Sequence, residues 1–433
     1  MNRVESWGRL YAPPHLLVPL PDLEDALRRI QSTTGPALPY GNGRSYGDSC
    51  LNADGTLWQT RALDRLISFN EEFGQLTCEA GVLLADIQRL FIPRGWMLPV
   101  TPGTQLITVG GAIANDVHGK NHHRSGSFCD HVKQIDLART TDDVLHCSQT
   151  QNTDWFAATS GGMGLTGVIL TATLQLKRTH GPWLTTESIP YYSLNDFFSL
   201  ADESEDDWEH TVSWIDCSSR DSIRGIFMRG NASPRRDCPP GNTEQVSFPI
   251  TPPVSLVNRI SLPLFNSLYF HRQASNAGKR VEHYQPFFYP LDRIKHWNRA
   301  YGRRGFYQYQ SVIPNEHRKE ATEQMLREIK QSGQGSMLAV LKTFGARQSP
   351  GLMSFPMEGV TLALDFPNRA QETLKLFSRL DAVVKDTGGR LYPAKDARMP
   401  RDLFEKGFPN LQEFMKYRDP GISSSLSRRL TGS

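Results

Sequence analysis

Ten residues near the start of the chain, Tyr40-Gly41-Asn42-Gly43-Arg44-Ser45-Tyr46-Gly47-Asp48-Ser49, have the makings of a loop that wraps phosphate. Three closely spaced glycines permit positive φ and let backbone N–H groups approach an anion, and Arg44, Ser45 and Tyr46 add donors between them. A second cluster, running from Pro102 to His123, repeats the chemistry with Gly103, Thr108, Val109, Gly110, Gly111, Asn115 and His118. Either loop alone reads equally well as an ordinary turn; the two together with His118-Gly119 point to a phosphate cradle.

That cradle is not a Rossmann site. The first loop misses the dinucleotide spacing by one residue, and Leu51-Asn52-Ala53-Asp54-Gly55-Thr56 after it reads as another turn. A literal G-x-G-x-x-G does occur at 162–167, but Val168 to Leu176 follows, alternating and rich in β-branched residues, hence a strand where a helix is required.

Other polar residues are less specific on their own. Gln308 and Gln310 alternate on one predicted strand and so share a face, which an ordinary polar sheet surface explains as well as a binding site does. His118, His122 and His123 lack an H-E-x-x-H pattern and a carboxylate or thiol set at zinc spacing, and Gly119 and Asn121 oppose a regular helix, so no metal is expected. A structural histidine is the plain alternative for His118.

At these residues the chain resembles the FAD-binding half of the vanillyl-alcohol-oxidase superfamily, in which two such loops clamp the FAD pyrophosphate. Within it the chain is similar to the decaprenylphosphoryl-β-D-ribose 2-oxidases, through Trp7-Gly8-Arg9, Gly43 to Asp48, His118-Gly119-Lys120-Asn121-His122-His123 and Gly389-Arg390-Leu391-Tyr392-Pro393-Ala394-Lys395-Asp396. The resemblance implies a cofactor site made from 41–48, Gly103, Thr108, Val109, Gly110, Gly111, Asn115, His118, Val168 and Tyr392. It makes Lys395 the catalytic residue, beside the substrate at the flavin face, where a neutral amine accepts a hydroxyl proton or a charged one steadies the developing alkoxide; outside the motif a lysine is ordinarily a surface residue. Gln308, Gln310 and Lys342 are implied as contacts to sugar hydroxyls and phosphate. Arg44 stands where many superfamily members carry an attachment histidine, and a guanidinium offers no nucleophilic lone pair, so FAD is expected to be non-covalent. Ala363 stands where the mycobacterial enzymes carry a cysteine.

The implied reaction is oxidation of the C2 hydroxyl of a polyprenylphosphoryl pentose to a ketone, with a short-chain dehydrogenase/reductase partner completing epimerisation toward arabinose. Two alternatives stand beside it. A soluble aldonolactone oxidase shares the flavin half but would carry a G-G-H-S attachment histidine; a non-catalytic flavin or lipid-phosphate binding protein would have lost the lysine motif, which is intact.

The elements that must position these residues are partly readable. Asp22 is a natural N-cap for a helix through Leu23, Ala26, Leu27 and Ile30, after which Ala37-Leu38-Pro39-Tyr40 reads as a strand running into the first glycine loop. Strands are predicted at 57–60, 66–69, 75–80, 211–215, 306–310 and 360–366, and a helix at 83–91. The expected fold class is α+β: a discontinuous FAD-binding domain at 1–180, an antiparallel-sheet substrate or cap domain at 181–388, and a segment at 389–433 returning to the first domain. The acidic run 202–207 reads as a solvated loop or helix end, and the prolines at 234, 239, 240, 252 and 253 as insertions.

Bulk properties agree. The 433 residues suffice for two or three domains, and 48 Lys and Arg against 45 Asp and Glu give no polycation for nucleic acid. Six widely spaced cysteines are expected to be reduced thiols, the N-terminus lacks an apolar signal region, and no segment approaches a membrane span, so a cytoplasmic location with peripheral contact at the inner membrane is expected. Aromatic and basic residues interleaved from Arg259 to Tyr309 read either as a receiver for a polyprenyl phosphate at a bilayer surface or as core rings with a solvated basic loop.

Overall fold

A computed structural model describes residues 1–141, 144–218, 223–239 and 245–432; Pro240, in the proline-rich stretch, lies outside them. The architecture is α+β. The helix Leu23–Ser32 starts where Asp22 accepts a hydrogen bond from the Asp25 N–H at 2.9 Å, and its Ala26 and Ile30 are buried. The strand Ala37–Tyr40 then pairs in parallel with Thr56–Gln59, which pairs in parallel with Pro14–Pro19. The first glycine loop is therefore launched from the end of a strand held in a small four-stranded sheet.

A second, wholly antiparallel sheet has the strand order Leu66–Asn70, Gln75–Glu79, Val168–Gln175, Val132–Ala138, Val144–Ser148. Val168–Gln175 is at its centre, which explains a run of β-branched residues buried on both faces. The helix Leu84–Phe91 packs its Leu84, Ile87 and Phe91 into the same core.

The third sheet is antiparallel and eight-stranded, ordered 278–283, 183–191, 225–232, 210–215, 339–344, 359–367, 306–314, 390–391. Strand alternation sorts its residues. Tyr309, Leu341, Leu362 and Leu364 enter one core with Met325 and Ile329 of the helix Arg318–Ser332 and Leu376, Phe377 and Leu380 of the helix Gln371–Asp386. The opposite face carries the polar residues and looks into the main cavity.

The final segment serves both halves. Arg390–Leu391 closes the large sheet by pairing with Ser311 and Val312. Beyond it the chain crosses back: Ala37 and Ser423 exchange backbone bonds with Gly421 and Ala37, and the helix Ser425–Thr431 packs on the turn Asp48–Cys50. The acidic run is where the helix Leu194–Ser204 ends. All six cysteines are free. Among the described residues no helix is long and apolar enough to cross a membrane.

Candidate active site

A cavity of about 740 Å³ lies between the glycine loops and the polar face of the eight-stranded sheet. Its loop side fits a dinucleotide. No acceptor among the described residues takes the backbone N–H of Asn42, Gly43, Arg44 or Ser45, so four donors stand ready for an anion. Gly43 has φ +59° and Gly41 lies so close to Thr108 that a Cβ would sit 2.5 Å from its Oγ1. Asn42 Nδ2 donates to the Leu106 carbonyl at 2.7 Å, tying the two loops together. The second cluster folds as a short helix, Val109–Ala114, capped by the Thr108 hydroxyl, which accepts from the Gly111 N–H at 3.1 Å. Sequence gave little sign of that helix because two glycines occupy its first turn.

Arg44 spreads its guanidinium 4.2 Å from the Trp7 ring centroid, and its buried Nε has no partner among the described residues. Burial holds its pKa below the usual value, with Asp292 opposing. A buried, partly unsatisfied guanidinium beside unpaired N–H groups is what a pyrophosphate would complete.

The sheet side of the cavity is polar. Gln308 and Gln310 lie opposite Asp365 and Ala363, and Thr361 and Ala363 lie opposite Lys342 and Val340. All seven line the cavity, so three neighbouring strands present one polar floor. Asp365 is 1 % exposed; Gln308 Nε2 donates to its Oδ1 at 2.6 Å while Oδ2 has no partner among the described residues. Burial raises its pKa to about 7 against the opposing effects of Gln308 and Lys395. Lys395 reaches in from the C-terminal segment, its Nζ 4.1 Å from the Tyr46 ring centroid. Burial pushes its pKa down to about 8, with the Asp365 carboxylate pulling the other way.

His118 is a junction between floor and wall. Its Nε2 lies 2.9 Å from Gln310 Nε2 and its Nδ1 3.0 Å from Lys342 Nζ, and Lys342 also donates to the Gly119 carbonyl at 2.9 Å. Burial and then Lys342 hold His118 well below its ordinary pKa, so the ring is neutral. A neutral ring carries one proton, so His118 donates at one of its nitrogens and accepts at the other. Burial, Lys120 and Lys395 in turn hold Lys342 well below the usual lysine value. Tyr392 stacks on Phe355 and donates from its hydroxyl to the Asn115 carbonyl at 2.8 Å.

Of the residues singled out from sequence, Gly41 to Tyr46, Gly103, Thr108, Gly110, Gly111, Asn115, His118, Gln308, Gln310, Lys342, Tyr392 and Lys395 line the cavity. Four do not. Val109 and Val168 point into the core, the flanking Gly167 and Ile169 taking the cavity side. Gly47 is pressed under the Asp396 carbonyl, where a Cβ would sit 1.6 Å from the oxygen. Asp48 is buried and paired with Arg429 at 2.9 Å. Conversely, Asp292, Thr361 and Asp365 line the cavity with no site role expected of them from sequence, as does Lys120, which entered only as part of its motif. Alternation from Ala363 along its strand was signal enough for Thr361 and Asp365. His122 begins a single helical turn, His122–Ser125, and packs on Phe344. No cluster able to hold a metal occurs among the described residues.

Comparison with known proteins agrees with this geometry. Residues 20–148 match a family described as an FAD binding domain. The chain is 32% identical to decaprenylphosphoryl-beta-D-ribose oxidase of Mycolicibacterium smegmatis, covering 99% of this chain and 97% of that protein. It is 31% identical to an uncharacterised protein of Streptomyces coelicolor over 81% of this chain and 100% of that one. Similarity to mouse L-gulonolactone oxidase, at 33% identity, spans only 40% of this chain and 39% of that enzyme. A cradle of unpaired N–H groups facing a floor of buried lysine, histidine and carboxylate, within a chain alike end to end, places this protein in the decaprenylphosphoryl-β-D-ribose oxidase family of FAD-dependent oxidoreductases.

Proposed function

We propose that the protein oxidises the C2 hydroxyl of a polyprenylphosphoryl pentose to the ketone, as the first half of an epimerisation. The observation that supports this most is the polar floor: Gln308, Gln310, Lys342, Asp365 and Lys395 face the phosphate-binding loops across one cavity. FAD bound there supplies the hydride acceptor.

The chain's own residues manage binding and the proton. Lys395, with a pKa near 8, is partly uncharged at neutral pH and accepts the hydroxyl proton at Nζ. Asp365 faces the resulting ammonium and stabilises it. Gln308 and Gln310 hold sugar hydroxyls, and Lys342, steadied by His118 and the Gly119 carbonyl, meets the phosphate. Arg44 and the N–H groups of 42–45 hold the cofactor pyrophosphate without a covalent bond. The ketone so formed suits a short-chain reductase, which returns a hydride to the opposite face.

The test is the position of oxidation. Turnover of a short-chain polyprenylphosphoryl ribose followed by borodeuteride reduction should place deuterium at C2 and give both ribo and arabino products. Deuterium at any other carbon contradicts the assignment.

A further inference from the structure

The helix Ser261–Ser275 is apolar on two sides. Leu262, Asn266 and Phe270, spaced four apart, are buried against the domain. Ile260, Leu264 and Leu268, also spaced four apart, remain 84%, 71% and 68% exposed. Such a helix has no single wet face. Among the described residues, every large hydrophobic side chain more than two-thirds exposed, Met1 aside, falls between 246 and 268. Scattered exposed leucines need no explanation, but this concentration marks an interaction surface.

Charge says what covers it. Residues 245–304 contain nine Lys and Arg and two Asp and Glu, in a chain that is otherwise near balance. Of the two acids, Asp292 lines the cavity and Glu282 is engaged by Arg280 and Thr186. Arg259, Arg272, Lys279, Arg303 and Arg304 are exposed. A second copy of this chain would bring like charges together, whereas an anionic lipid surface takes both the apolar stripe and its basic surround.

The surface adjoins the cavity. Val246 pairs with Ile294, which lines the cavity mouth, and the Leu256 N–H donates to the Ala300 carbonyl in the following turn. We propose that this surface seats the protein on an anionic bilayer, Ile260, Leu264 and Leu268 entering the acyl boundary while the exposed Arg and Lys meet headgroup phosphates. The inference deepens the substrate reading, because a polyprenyl tail leaving beside Ile294 then stays in lipid. It rests on the surface alone, however, and vesicle binding needs no turnover.

The experiment is co-sedimentation of the flavin-loaded protein with vesicles of phosphatidylcholine alone and of phosphatidylcholine mixed with phosphatidylglycerol. Binding is expected to the mixed vesicles and to weaken with salt. Leu264→Ser with Leu268→Ser should lower partitioning at least about tenfold, and Arg259→Ser or Arg272→Ser about fivefold each. These positions are exposed and outside the cavity, so flavin absorbance and reduction by a soluble short-chain substrate should be unchanged. No sedimentation, or sedimentation indifferent to lipid charge and to these substitutions, overturns the proposal. So does a dimer, seen by light scattering, that Leu264→Ser with Leu268→Ser dissociates without affecting lipid binding.

Discussion

Gln308 Nε2 and Asp365 Oδ1 meet at 2.6 Å across directly paired strands, leaving the second oxygen of a fully buried carboxylate without a partner among the described residues and in the field of Lys395. The pair fixes the Asp365 carboxyl group while its charge governs how readily Lys395 holds a proton.

A pH dependence with a definite sign follows. Only the uncharged amine accepts a proton, so the rate of anaerobic flavin reduction should rise with pH through about 8 and then level. Asp365→Asn removes the charge that raises the Lys395 pKa; the limb should move to lower pH and the plateau should fall about tenfold or more. An unmoved limb separates Asp365 from the proton transfer.

Much of the frame was legible. Asp22 marked its helix, and the strand at 168–175 disqualified a nearby dinucleotide-like glycine motif because β-branched alternation leaves no place for a helix. The site was less so. Alternation from Ala363 puts Asp365 on the cavity face, but its partner Gln308 is set only by strand pairing. The helix at 261–275 hides in sequence because apolar residues on two sides erase the helical period. Val168 illustrates the converse: the right strand was found, but its neighbours face the cavity.

Arg44 should govern cofactor retention. Arg44→Ala removes a charged donor from the loop and should weaken FAD binding about tenfold or more, since hydrogen bonds to charged groups are each worth about 1.5–3 kcal/mol; the check is fluorescence titration of the apoprotein with FAD. Acid precipitation of the wild-type protein should leave all flavin in the supernatant, and flavin in the pellet would reveal a covalent link.

The C-terminal segment should be a structural clamp. Arg429 Nη2 bridges the buried Asp48 and Asp396 at 2.9 and 2.8 Å. Arg429→Met leaves two carboxylates buried without their cation and should cost about 3–5 kcal/mol in urea unfolding.

Gly47→Ala should be comparably severe, because its Cβ meets the backbone of Asp396 rather than a yielding side chain. A loss of about 3 kcal/mol or more is expected from the same unfolding measurement. Near-wild-type stability would mean that the loop and the C-terminal segment are not locked together.

The most direct measurement is anaerobic absorbance of the yellow protein before and after addition of a short-chain polyprenylphosphoryl ribose, with L-gulonolactone in parallel, for wild type and Lys395→Ala. Bleaching of the wild type by the lipid-linked ribose alone is expected, slowed about a hundredfold or more in Lys395→Ala with flavin content unchanged. Bleaching by the lactone alone, or wild-type rates in Lys395→Ala, would contradict the assignment of substrate or of the catalytic residue.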